Sequence, residues 1–423
     1  MNMSPIYDFG INAYKWAVSL AAMRNPKAKK MLQGHDETFQ VLEDNIEPGE
    51  KYIWIHASSL GEFEQGRPLI EKIKREKPAF KILLTFFSPS GYEVRKNYDK
   101  ADVVAYLPFD TKSNARRFLH IVNPVMAIFI KYEFWGNYLS ELKARNVPTY
   151  IVSAIFRDSQ QFFRPWGGLF RKMLRCFTTI FVQNEESRAL LRSIGVENVE
   201  VSGDTRFDRV ENVKQGAKEF PVIAGMVKDA PFTLVMGSSW QPDEDIVIPY
   251  FNSHPEMKLI IAPHEFDNDR LQALMSRITR PTQLYTMVPE NQAHNVDCLI
   301  INCFGILSSL YKYGQVAYVG GGFGAGIHNI NEAAVYGIPV IIGPNHKKFQ
   351  EASDLIACGG AFCVRNSDEF TQIIDSLRTD ADALARSGKM SLNYIQAHLG
   401  ATDFIFRNIF PPKTDNRTPS HPD

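Results

Sequence analysis

Residues 51–88 read KYIWIHASSLGEFEQGRPLIEKIKREKPAFKILLTFFS. Two short runs rich in β-branched and aromatic residues, KYIWIHAS and FKILLTFFS, flank a segment with helical spacing, EFEQGRPLIEKIKRE. Neither run alternates polar with apolar, so each predicts a strand buried on both faces. Strand, helix and strand in that order predict a parallel crossover unit.

The same rhythm continues outward. VVAYLP, PVMAIFIKYEFW, TYIVSAIF, TTIFVQN and VEVSG read as further strands with helices such as SNARRFLHIV between them. A polar stretch, residues 208–228, breaks the pattern. It then restarts with the strands FTLVMGSS, MKLIIAPH, TQLYTM, CLIINC, VAYVGG and PVIIGP. The spacing predicts an α/β chain of two doubly wound, Rossmann-like domains with a ligand cleft between them at the strands' C-terminal ends. The N-terminal domain is placed at 1–215, the C-terminal one at 225–410. The Pro-rich tail 411–423 is expected to be disordered.

A length of 423 residues fits two domains, and 44% hydrophobic with 22% charged residues excludes a disordered or fibrous chain. Lysine plus arginine equals aspartate plus glutamate, 47 each. This argues against a nucleic-acid binder, but the balance is uneven. Residues 1–220 hold 32 basic and 26 acidic side chains, a net of +6, and the remainder carries −6. The two halves are expected to face different partners. Five scattered cysteines without a CxxC pair predict reduced thiols rather than a zinc site or disulfides.

No signal peptide is evident. Residues 6–23, IYDFGINAYKWAVSLAAM, contain Asp8 and Lys15 and so lack an unbroken apolar span. Tyr14, Ala17, Val18, Ala21 and Ala22 share a helical face, and Arg24, Lys27, Lys29 and Lys30 follow. Residues 1–30 thus suit either an anionic membrane surface or packing on their own domain.

Two motifs carry the chemistry. In YVGGGFGAGIHNINEAAVYGIPVIIGP, 318–344, a strand enters a glycine cluster that includes Gly321 and Gly322, and a helix begins near Asn329 to Asn331. Backbone N–H groups and a helix start predict a phosphate seat, with Glu332 toward ribose hydroxyls. The looser dinucleotide pattern at 320–325 lacks its later acid, which argues against NAD. In WIHASSLGEFEQGRPLI, 54–70, Glu62 opens a helix whose dipole favours an ionised carboxylate, able to act as a general base or merely as a cap. His56 reads as a strand residue with a satisfied ring. Ser238 and Ser239, Pro263-His264, Lys131, Glu133 and Arg206 lie at strand ends, where the cations suit phosphate charge or ordinary surface pairing. His264, Glu265 and Asp267 do not have a metal-ligand spacing.

Together HASSLGE, KYEFWGN, SGDTRFD, GSSWQPDE, IIAPHE and VGGGFGAGIHNINEAAVYGIPVIIGP resemble the 3-deoxy-D-manno-octulosonic acid (Kdo) transferases. The resemblance runs from about Trp54 to Glu351, some 70% of the chain, with the blocks in family order. It implies a GT-B fold and transfer of Kdo from CMP-Kdo to a lipid A precursor, without a metal or other cofactor, at the cytoplasmic face of the inner membrane. The family base falls on Glu62. The CMP-binding segments fall on Pro263-His264, on Gly305-Ile306-Leu307, and on Asn329, Ile330, Asn331 and Glu332. His264 stands where arginine is usual and Ile306 where glutamate is. In the acceptor half the first glutamate of the E-T-E-L-W block has become Lys131, whereas the paired family lysine falls on Arg206 and keeps its charge. Glu133 therefore gains weight. Two alternatives stay open: a GT-B enzyme using a UDP-sugar (transferase or epimerase), and a silent membrane-associated binding protein on a transferase scaffold.

Overall fold

The computed structural model describes residues 5–412. The expected disordered tail lies, from residue 413 on, outside the described residues. The chain divides into two compact units. The first runs to Arg209 and takes in the residues from Gly400, and the second is Val210–Leu399.

In the first unit seven parallel strands are β1 (Tyr52–His56), β2 (Lys81–Phe86), β3 (Val103–Tyr106), β4 (Met126–Ile130), β5 (Thr149–Ala154), β6 (Thr179–Val182) and β7 (Val199–Val201). Their order is β3-β2-β1-β4-β5-β6-β7. Side chains of β1 alternate between two cores. Trp54 packs with Phe118, Phe129 and Tyr138 on one face. Ile53 and Ile55 pack with Phe63, Ile128 and Ile405 on the other. Burial on both faces explains why β1 is apolar at successive positions.

The second unit holds β8 (Phe232–Ser239), β9 (Met257–Pro263), β10 (Thr282–Leu284), β11 (Cys298–Ile300), β12 (Val316–Val319), β13 (Val340–Ile342) and β14 (Ala361–Cys363). All are parallel, in the order β10-β11-β9-β8-β12-β13-β14. Leu234, Met236, Phe251, Ile261, Tyr318 and Phe370 belong to its core. The winding reverses between β1 and β4 in one sheet and between β8 and β12 in the other. The ends of those strands are where an open α/β sheet offers a crevice.

The structure departs from the sequence reading in four places. The strand expected through Trp135 stops at Ile130, because Lys131 adopts a left-handed backbone (φ 66°). The polar stretch 208–228 is largely helical, Thr205–Gln215 and Pro221–Val227. The helix after the glycine cluster is one turn, Asn331–Ala334. The helix Ala401–Ile409, expected in the C-terminal domain, belongs to the first unit. Asp208 holds its start by accepting from the N–H groups of Gly400 (2.7 Å) and Thr402 (2.6 Å), and Ile405, Phe406 and Ile409 enter the first unit's core.

Among the described residues no helix is long and apolar enough to cross a membrane. The helix Pro5–Ala22 is anchored at its start. Tyr7 donates to Asp110 (2.6 Å) and accepts from the Gly136 N–H (3.0 Å), and Asn137 donates to Asp8 (2.9 Å). Its outward stripe differs from the face expected. Ile6, Phe9, Trp16 and Leu20, with Met23 just beyond, are exposed.

The glycine loop and the turn after β13 meet backbone to backbone, and a methyl at Gly322 would lie 2.6 Å from Gly343 Cα. Gly322→Ala should therefore destabilise the protein by about 1–3 kcal/mol, the usual cost of overpacking, read as a lower urea midpoint.

Candidate active site

In the first unit β1 delivers the chain to Ser58 and Ser59, and the helix Leu60–Glu76 begins. Ser59 and Glu62 form a capping box, and Glu62 Oε2 accepts from the backbone N–H groups of Ser58 (2.7 Å) and Ser59 (3.2 Å). Oε1 accepts no hydrogen bond among the described residues. The capping reading of the sequence holds: the carboxylate caps its helix through Oε2 alone.

Glu133 lies beside it, buried, on the loop after β4. Its Oε2 accepts from His56 Nε2 (3.0 Å), Ser58 Oγ (2.5 Å) and Trp135 Nε1 (2.5 Å). The other ring nitrogen of His56 lies 2.9 Å from Thr85 Oγ1, which also accepts from Trp54 Nε1 (2.8 Å). His56 is thus a strand residue with a satisfied ring, and it helps to fix Glu133.

The two carboxyls are pushed in opposite directions. Burial alone would raise Glu133, but its bonds to His56, Ser58 and Trp135 outweigh that and hold it below the usual carboxylate range. Glu62 is pushed up to about 7, first by burial and then by the negative charge of Glu133. The N–H groups of Ser58 and Ser59 and the charge of Lys131 pull it only partly back. The expectation of a persistently ionised Glu62 needs this correction, since burial and a like charge outweigh the helix dipole. The result is a carboxyl poised near neutral pH, which suits a general base.

Lys131 sits in the strained turn after β4, its N–H bonded to Val152 O (2.9 Å). Non-glycine residues held in this backbone region cluster at functional sites. Arg206 is clamped by Asp204, which accepts from both its backbone N–H (2.9 Å) and its Nε (2.8 Å). Asp204 also accepts from Gln65 (3.2 Å), one turn along the Glu62 helix, so Arg206 and Glu62 are tied to one element. A cavity of about 550 Å³ adjoins Glu133, walled by Tyr7, Phe134, Trp135, Phe162 and Met173.

In the second unit the glycine cluster at the end of β12 serves packing as well as any ligand. Gly321 has φ 92°, which favours glycine, and its N–H donates to Asp243 Oδ2 (2.9 Å). Asp243 also accepts from the Trp240 N–H (2.9 Å) and the Tyr318 hydroxyl (3.1 Å), pinning β12 to the turn after β8. The Gly321 N–H is therefore engaged inside the protein, and the one-turn helix offers less of a dipole than the sequence suggested. Asn331, fully buried, leaves both polar atoms of its side chain without a partner among the described residues. Buried amides are nearly always bonded, which makes Asn331 a strong candidate for contact with a ligand. Asn329 donates to Glu332 Oε1 (3.0 Å) and caps Asn331 N–H (3.2 Å), with Ile330 buried between them.

His264, after Pro263 at the end of β9, stacks with both Trp240 and His328, each ring centroid 4.6 Å from its own. Trp240 Nε1 donates to His328 Nε2 (3.3 Å). An indole N–H only donates, so His328 is neutral in this arrangement. Burial, and then His264, lower its pKa in the same sense. Ser238 adopts a left-handed backbone (φ 52°) where the β8–β9 register shifts. Gly305 (φ 85°) turns the chain after β11 into the helix Leu307–Leu310, with Ile306 as its cap. His328 and Asp243 escaped the sequence reading. Asp243 left one signal, an acid in a first helical turn directly after SSW.

Two seven-stranded, doubly wound parallel sheets, each with one switch point, define the GT-B type of fold. The known proteins most informative here agree. Residues 33–209 match the family model of 3-deoxy-D-manno-octulosonic-acid transferase (Kdotransferase). The chain is 29% identical over 333 residues to 3-deoxy-D-manno-octulosonic acid transferase of Aquifex aeolicus, covering 77% of this chain and 85% of that one. It is 28% identical over 374 residues to the same-named protein of Bordetella pertussis, covering 83% and 85%. These relatives, like its motifs, make the chain similar to the Kdo transferases over most of its length. Among solved structures, UDP-GlcNAc 2-epimerase from Neisseria meningitidis aligns with a TM-score of 0.60 at 16% identity, over 85% of this chain and 99% of that one. MurG of Acinetobacter baumannii aligns at 0.54 and 10%, over 85% and 99%. At such identities these two speak to the fold alone.

Glu133→Gln removes the like charge beside Glu62 and keeps an oxygen for Ser58 and Trp135. A base works when ionised, so activity should rise with pH through about 7 in the wild type. In the variant this limb should move to lower pH, read from kcat/KM profiles; an unmoved limb would mean that Glu62 does not set it.

Proposed function

We propose that this chain transfers Kdo from CMP-Kdo to a hydroxyl of a lipid A precursor, with Glu62 as the base. The observation that carries the reading is the Glu62 carboxyl, pinned through one oxygen, without a hydrogen bond to the other among the described residues, and poised near pH 7. The acceptor hydroxyl gives its proton to Glu62 while its oxygen bonds to the anomeric carbon of Kdo. The bond from that carbon to the phosphate oxygen breaks, and CMP leaves with the electron pair. Lys131 and Arg206 supply positive charge on the first unit. Pro263, His264, Gly305 to Leu307, Ser238, Gly321, Gly322 and Asn329 to Glu332 hold CMP on the second. No metal or other cofactor takes part in the proposed step.

The proposed acceptor is an amphiphile, and the exposed stripe Ile6, Phe9, Trp16 and Leu20 supports a peripheral position on an anionic membrane surface, at the cytoplasmic face of the inner membrane. Arg24, Lys27, Lys29 and Lys30 follow the stripe and favour anionic lipid.

Glu62→Ala should lower transfer by about 10²–10⁴-fold, the usual share of a general base, while CMP binding by calorimetry stays unchanged. Near-normal turnover would sink the mechanism, and tighter binding of UDP than of CMP would favour a UDP-sugar enzyme. Replacing Phe9 and Trp16 together by glutamate should weaken sedimentation with vesicles containing anionic phospholipid, without loss of CMP binding.

A further inference from the structure

Beside the glycine loop of the second unit lies a cavity of about 680 Å³. Gly324 and Ala325 form one wall, and His346, Lys347 and Lys348 another, with Arg365 following β14. No carboxylate lines it. This positive cavity sits in the half of the chain that carries a net charge of −6. Among the described residues neither Lys347 nor Lys348 has an ion-pair partner, and Arg365 pairs only with Glu369 (3.2 Å). His346 Nδ1 is buried and unpartnered. The lysine-bearing turn is fastened to the glycine loop, since Asn345 donates from its N–H to Gly322 O (2.8 Å) and from Nδ2 to Gly324 O (2.9 Å). The cations therefore stand at a fixed distance from the residues assigned to the nucleotide.

We infer that this cavity binds the carboxylate of the transferred sugar, and that Lys347 and Lys348 select a sugar acid over a neutral sugar. The inference rests on the donor proposed above. An octulosonic acid carries its carboxylate on the anomeric carbon, the same carbon that is esterified to the phosphate. A donor held by its phosphate at the glycine loop thus presents a second full negative charge within a few ångströms, where charged donors bind it best. A neutral sugar would leave the cations unmatched, which is how a charged pocket discriminates.

The test is Lys347→Gln with Lys348→Gln, both exposed and so compatible with folding. KM for fresh CMP-Kdo and the inhibition constant of CMP, which has no sugar carboxylate, are measured side by side. The expected result is a KM for CMP-Kdo raised about tenfold or more, with the CMP constant and the acceptor KM within about twofold of wild type. An unchanged CMP-Kdo KM overturns this inference alone. Equal weakening of CMP and CMP-Kdo also overturns it, since the lysines would then serve the nucleotide phosphate. A rise confined to the acceptor KM does the same, assigning them to an acceptor anion. Failure of CMP to inhibit the wild type removes the donor reading and this inference with it.

Discussion

A parallel sheet covered by helices on both faces leaves little room for unpartnered polar side chains along its length. Both sheets of this protein obey that constraint, and it decides where everything else can go. Polar chemistry is confined to the strand ends, and the reversal of winding gives one favoured place in each unit. In the first, the turns after β1 and β4 bring Glu62, Lys131 and Glu133 into one neighbourhood. In the second, the turns after β8 and β12 are joined through Asp243.

Within the first of these places, Ser58 connects the two acidic groups. Its backbone N–H holds Glu62 and its hydroxyl holds Glu133. Neighbouring carboxyls with very different surroundings can divide acid and base roles, and here the donor count makes the division. Three donors converge on one oxygen of Glu133 and keep it charged, and that fixed charge in turn raises Glu62.

Much of this was legible in the sequence because the strands are short, apolar and separated by helical spacing. All strands through β13 were called from those runs. β14, three residues at a sheet edge, gave no comparable signal. Glu62 could be named because a capping acid directly after a strand has a fixed place. Its proton affinity could not, since that depends on Glu133, 71 positions away in sequence and joined only by folding. The role of His328 was equally hidden, because stacking on His264 is a tertiary event. The glycine cluster was read as a seat for phosphate, yet much of its glycine content answers to close backbone packing.

The return of the helix Ala401–Ile409 to the first unit also sets an order for biosynthesis. A ribosome adding about 5–20 residues per second must make all of Val210–Leu399 before that helix exists. For roughly 10–40 seconds the nascent first sheet lacks Ile405, Phe406 and Ile409, and the apolar surface they cover lies bare. The earliest-made half of the enzyme is thereby among the last to be finished, and during that interval it is a natural client for a chaperone.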